Sequence, residues 1–135
     1  MKRLIQLFIT CVIIFLCIDY YILKTTTHSL DLSPSEALSF ILGKKDSPNF
    51  ILVDLRTIAE FNSGFINGAI NIDWLSEKEK LLTLNKSDTL VVYCQSGRRS
   101  KLAQEFLIKN NYNSVHNISG GINRWNQEIT VDSSL

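Results

Sequence analysis

Apolar and polar positions follow two alternating patterns along this chain. Phe50-Ile51-Leu52-Val53 and Leu90-Val91-Val92-Tyr93 are short, continuous apolar runs bounded by polar residues, which predicts buried strands. Between such runs the apolar residues recur at helical spacing. Ala37, Leu38, Ile41 and Leu42 mark one inward helix face, and Leu102, Ala103, Phe106 and Leu107 mark another. Ser33-Pro34-Ser35-Glu36 opens the first helix with a capping pattern, and Gly43 closes it. Thr57-Ile58-Ala59-Glu60 repeats that pattern and starts a short helix ended by Gly64. Further short strands are expected at 68–72 and 115–118. A charged helix is expected over 74–84, with Glu77, Lys78, Glu79 and Lys80 on a solvated face, and a last helical turn over 120–125. Strands that alternate with helices define an α/β domain with a small, mostly parallel central sheet flanked by helices. Functional sites in such sheets lie at the carboxyl ends of the strands, where Asp54 and Cys94 both fall.

The N-terminus has a different pattern. Lys2 and Arg3 precede an almost unbroken apolar stretch over 4–23, which as a helix is about 30 Å long and enough to cross a bilayer. Asp19, beside Tyr20 and Tyr21, suits the outer interface. The more apolar part, 4–18, also has the length of a signal-peptide core, but no A-x-A-like cleavage pair follows it. An uncleaved transmembrane helix is therefore favoured over a signal helix. Lys2 and Arg3 hold the N-terminus in the cytoplasm and put the domain on the extracytoplasmic, periplasmic side; cleavage would release it into the periplasm. The expected organisation is an anchor or signal segment over 1–24, a linker over 25–32, one domain over 33–128 and a tail over 129–135.

Charge and cysteine content narrow the function classes. Of 14 basic and 13 acidic residues, removing Lys2, Arg3, Lys24 and Asp19 leaves 11 and 12 for the remainder. Nothing in that balance suggests nucleic acid, and no basic stripe with interleaved aromatics occurs. Cys11 and Cys17 lie in the apolar segment, so Cys94 is the only thiol of the domain. A disulfide within the domain is excluded, and a zinc site lacks ligands. His28 and His116 stand far apart, and His116, in an expected strand, reads as structural. No metal is expected.

Cys94 opens the stretch Cys94-Gln95-Ser96-Gly97-Arg98-Arg99-Ser100, between an expected strand and an expected helix. Several unsatisfied N–H groups converge at such a junction, and the helix dipole favours negative charge there. The setting lowers a thiol pKa from about 8.5 toward roughly 3.5–7.5. The loop therefore reads as a nucleophile, Cys94, in an anion cradle formed by Gln95, Ser96, Gly97, Arg98, Arg99 and Ser100.

Three stretches in register resemble the rhodanese family of single-domain sulfurtransferases. The first runs from Val53-Asp54-Leu55-Arg56 through Glu60-Phe61 to Gly64-Phe65-Ile66-Asn67-Gly68-Ala69; the second is the Cys94 loop; the third is Gly120-Gly121-Ile122-Asn123-Arg124-Trp125. Phe65 stands where that family usually has histidine, and Asn67 where it often has proline. The resemblance implies a rhodanese-like three-layer domain and no cofactor. It also implies sulfur transfer through a Cys94 persulfide, from a small sulfur-oxyanion donor such as thiosulfate to a thiol, cyanide or protein acceptor. Arg98 and Arg99 are the charges available to hold the donor, with the larger effect expected of Arg99. Asp54, Arg56 and Glu60 are expected as structural support near the site, and a monomer is expected. Two alternatives remain: a membrane-tethered persulfide carrier or binding module serving a protein partner, and a cysteine-dependent phosphatase or arsenate reductase. The latter needs a C-x5-R loop, whereas Arg99 gives only C-x4-R.

Overall fold

The computed structural model describes residues 2–25 and 30–129. An N-terminal helix, α1 (Lys2–Thr25), precedes the α/β unit β1 (Asp31–Leu32), α2 (Pro34–Lys44), β2 (Phe50–Asp54), α3 (Ile58–Asn62) and β3 (Ala69–Asn71). A 3₁₀ helix (Lys78–Thr83), β4 (Thr89–Tyr93), α4 (Arg98–Lys109), β5 (Ser114–Ile118) and α5 (Gly121–Glu128) complete it. The five strands form one sheet in the order β1-β5-β4-β2-β3, every pair parallel.

Strand side chains alternate between faces, and helices cover both, which is why the strands read as continuous apolar runs. On one face Val53, Leu90, Val92 and Val115 pack with Ala103 and Leu107 of α4, and with Leu81 and Tyr112. On the other, Leu52, Val91, Tyr93 and Ile118 meet Ala37 and Ile41 of α2, and Ile122 and Trp125 of α5. Trp74 is half-buried, edge-on to Phe106. His116 is a buried strand residue: its Nδ1 accepts from Leu30 N–H at 3.3 Å, its Nε2 lies 3.1 Å from Ser114 Oγ, and its ring tilts against Phe40. Both expected capping boxes form. Ser33 and Glu36 open α2, and Thr57 and Glu60 open α3.

Four elements differ from the sequence expectation. The end of the expected 25–32 linker is β1, which extends the sheet by pairing Asp31 and Leu32 with Asn117 and Ile118. Two residues are too few to show any alternation. α4 begins at Arg98, two residues ahead of Ser100, and α5 continues to Glu128. The charged helix over 74–84 is reduced to the 3₁₀ helix. Asp73 captures the chain ahead of it, since its carboxylate accepts from Leu75 N–H at 2.8 Å and Ser76 Oγ at 2.9 Å. Tyr112 Oη then donates to the carbonyls of Leu81 and Leu84, each at 2.8 Å, fixing the segment by a contact distant in sequence.

The expected membrane span is also corrected. Within α1 the described side chains are Arg3, Gln6 and residues 8–18, and all of these are exposed. Among the described residues no helix is long and apolar enough to cross a membrane. His28 and residues 130–135 of the tail lie outside the described residues.

The Tyr112 hydroxyl sits in a buried position shared between two carbonyls. Tyr112→Phe is expected to lower unfolding free energy in urea by about 1–3 kcal/mol, because those acceptors lose their donor. The alkylation rate of Cys94 is expected to stay unchanged.

Candidate active site

Cys94 follows directly on β4 and is fully buried, while Ser96 and Arg98 beside it are exposed. The loop is short because Gly97 turns the chain at φ +86° and serves as N-cap of α4. This cap has no side chain, and no acidic residue lies in the first turn of α4. The orphan N–H groups at that end and the positive end of the helix dipole are thus left to the cysteine. Burial pushes the Cys94 thiol up. Hydrogen bonds from the Ser100 hydroxyl and from the N–H groups of Ser100, Ser96 and Gly97 outweigh that effect, and the net shift is downward. Ser100 Oγ lies 3.5 Å from Cys94 Sγ and 3.2 Å from Gly97 O. A thiolate here is stabilised first by the Ser100 hydroxyl and then by fixed backbone dipoles.

A second helix start holds the loop from behind. The first N–H groups of α5 donate to loop carbonyls, Ile122 to Cys94 O at 2.9 Å and Asn123 to Gln95 O at 3.1 Å. The Gln95 side chain donates to Asn123 Oδ1. Such contact requires bare backbone. A Cβ on Gly121 (φ +61°) would sit 2.2 Å from Cys94 O, and one on Gly97 would sit 2.9 Å from Gly120 N. The glycine pair ahead of Trp125 therefore serves the cysteine loop, with Trp125 buried under α5 as its anchor.

The remaining expected residues divide into two networks. Asp54 and Arg56 are both buried and pair at 2.6 Å, with Arg56 Nε within 3.0 Å of each Asp54 oxygen. Arg56 Nη2 also donates to Gly64 O at 2.6 Å, and Tyr93 Oη accepts from Ile66 N–H at 3.0 Å. This network ties the 55–66 loop to the strand end next to Cys94 and does not touch the sulfur cradle itself. Tyr93 is held well above the usual phenol range, by burial first and then by the Asp54 charge.

Glu60 belongs to the site more directly. Its carboxylate accepts from Arg99 Nη1 at 2.9 Å and Nη2 at 2.7 Å, and from Thr57 N–H at 2.8 Å and Oγ1 at 2.9 Å. The Arg99 bonds are the largest reason that the Glu60 pKa falls to about 2. Arg99 is consequently half-buried in an ion pair and not a free clamp. Arg98 is exposed and makes no ion pair among the described residues. The sequence marks Glu60 as a helix cap and as support near the site, but not as the partner of Arg99, which lies 39 positions away. Asn123 likewise carried no local signal of its contact with Gln95. Phe65, in the usual histidine position, is half exposed and stacks on Phe61 with ring centres 4.2 Å apart. Among the described residues no cluster of His, Cys, Asp or Glu could hold a metal ion.

A buried thiol in a loop at the carboxyl end of a five-stranded parallel sheet, with backbone N–H groups converging on it, defines an α/β protein with an anion-favouring cysteine loop. Residues 37–128 match the rhodanese-like domain, and the chain belongs to that family. It is 36% identical over 91 residues to a sulfurtransferase of Allochromatium vinosum, covering 67% of this chain and 83% of that one. It is 31% identical over 119 residues to the thiosulfate:glutathione sulfurtransferase of Saccharomyces cerevisiae, covering 75% and 85%. Its fold is similar to the crystal structure of a rhodanese-related protein from Thermoplasma volcanium. The TM-score is 0.63 at 28% identity, over 73% of this chain and 91% of that chain.

Gly121→Ala tests the contact between α5 and the loop. Its methyl group must displace the Cys94 or Gln95 backbone, and a shift near 1 Å at a reacting group costs about 100-fold in rate. That loss is expected in sulfur transfer, measured against the unsubstituted chain, with the far-ultraviolet circular dichroism preserved.

Proposed function

We propose that this chain is a sulfurtransferase that carries sulfane sulfur as a persulfide on Cys94, with thiosulfate or a similar sulfur oxyanion as donor. The observation that carries this reading is the convergence of the Ser96, Gly97 and Ser100 N–H groups and the Ser100 hydroxyl on one buried sulfur. The thiolate attacks the outer sulfur of thiosulfate. The new S–S bond forms as the old one breaks, and its electron pair leaves with sulfite. The product persulfide bears one negative charge, which the same N–H groups stabilise. An acceptor such as cyanide or a thiolate then attacks the terminal sulfur and returns the Cys94 thiolate. Arg99 is already engaged by Glu60, so Arg98 is the residue assigned to the donor's oxyanion. The relatives' sulfurtransferase names support the same chemistry.

The loop does not favour phosphoryl transfer. Its arginine is one position too early for the C-x5-R arrangement, and that arginine's fork is turned to a carboxylate.

The proposal extends to location. The domain lies on the extracytoplasmic side, because Lys2 and Arg3 ahead of the apolar 4–23 sequence favour an N-terminus held in the cytoplasm. The test is a reporter active only outside the cytoplasm, fused after Leu135. An active reporter is expected, and an inactive one would place the domain in the cytoplasm.

Incubation with thiosulfate is expected to add one sulfur atom to the Cys94 peptide, removable by cyanide and absent in Cys94→Ser. Full transfer in that variant would remove the assignment. Arg98→Ala is expected to cost roughly 10- to 150-fold in rate with thiosulfate, the worth of one charge-assisted hydrogen bond. Unchanged thiosulfate activity would instead favour a persulfide-carrying protein as donor.

A further inference from the structure

Glu60 and Arg99 form a relay that starts outside the cysteine loop. Thr57, the N-cap of α3, fixes the Glu60 carboxylate through its N–H and hydroxyl. Glu60 in turn fixes the Arg99 guanidinium by two parallel hydrogen bonds of 2.9 and 2.7 Å, the planar arrangement that a lysine could not make. Arg99 lies in the first turn of α4, one residue before Ser100, whose hydroxyl reaches Cys94 Sγ. Interaction with the Cys94 sulfur also helps to raise the Arg99 pKa, after the larger effect of Glu60.

We infer that Glu60 is a positioning residue for the nucleophile: it holds the Arg99 guanidinium in the first turn of α4, next to the Ser100 that reaches Cys94, so that α3 sets the reactivity of a thiolate carried by the loop before α4. The inference rests on Cys94 being the nucleophile of the proposed reaction. The charged and titratable groups around the cysteine are Arg98 and Arg99 on α4, Glu60 on α3, Asp54, Arg56 and Tyr93 at the strand ends, and Arg124 on α5. Asp54 and Arg56 neutralise each other, and Arg124 is paired with Glu128. Glu60 is therefore the anion whose removal changes the environment of Arg99.

The sign of one measurement separates positioning from simple charge. If Arg99 stayed in place by itself, removing the Glu60 charge would make the thiolate easier to form, and Cys94 would react at lower pH. If Glu60 holds Arg99, its removal lets the guanidinium move to solvent, and Cys94 reacts at higher pH. The experiment is the pH dependence of iodoacetamide alkylation in the full chain, followed by mass spectrometry on the peptide bearing Cys94.

Glu60→Ala is expected to raise the midpoint by about one unit, as is Arg99→Ala, since an opposite charge within reach shifts a pKa by about 1–3 units. The double variant is expected to be no worse than either single one. Arg99→Lys, which keeps both the charge and the Glu60 cap, is expected to raise the midpoint too. It carries the test should Glu60→Ala fail to fold. A lower or unchanged midpoint in Glu60→Ala, an unchanged one in Arg99→Lys, or additive single effects would each overturn the inference. Alkylation needs no sulfur donor. An unsubstituted chain that moved no sulfur from thiosulfate, yet showed these midpoint shifts, would remove the proposed reaction and leave the positioning role standing.

Discussion

The site depends on the close approach of two backbones, the start of α5 and the loop that carries Cys94. Two carbonyls of the loop cap α5, and in exchange α5 fixes the direction in which the loop turns. With its carbonyls held from behind, the loop can present N–H groups to the sulfur on its other side. Fixed dipoles of this kind need no reorganisation when charge develops, which is the condition for electrostatic stabilisation of a bound anion. Glycine is required at the contact because a single methyl group would lie inside the van der Waals distance of Cys94 O.

The parallel sheet supplies the frame for that approach. β4 and β2 are paired in register from Thr89 and Phe50 onward, so Cys94 and the Asp54–Arg56 pair leave the sheet at one level. The buried ion pair anchors a long loop that would otherwise have few apolar contacts. Its two charges satisfy each other and the Gly64 carbonyl, which is the condition under which a buried pair is tolerated. α3, brought close by this loop, can then reach α4 through Glu60.

The order of strands and helices was legible because each long strand is buried on both faces, and α2, α4 and α5 each bury one face. That made Leu90-Val91-Val92-Tyr93 and the 102–107 spacing clear signals. The cradle around Cys94 was legible because its neighbours in sequence are also its neighbours in space. What escaped the sequence was made by distant partners. β1 has only two residues and exists through pairing with β5. The 74–84 segment has good helix formers, yet Asp73 and Tyr112 claim its hydrogen-bonding groups. Arg99 looked like a substrate clamp because nothing near it in sequence competes for its guanidinium, whereas Glu60 does so across the fold.

The sheet has its five-residue strands in the interior or next to it, while its two margins are β1 with two residues and β3 with three. A margin is where an unpaired ladder can recruit a foreign strand. Margins this short offer few free N–H and C=O groups in line, too few to seed a stable intermolecular ladder. The geometry thus guards against edge-to-edge self-association, with the exposed charge of Asp31 on β1 adding to it. A variant that lengthened β3 toward Asp73 would be the one to watch for fibril-like growth.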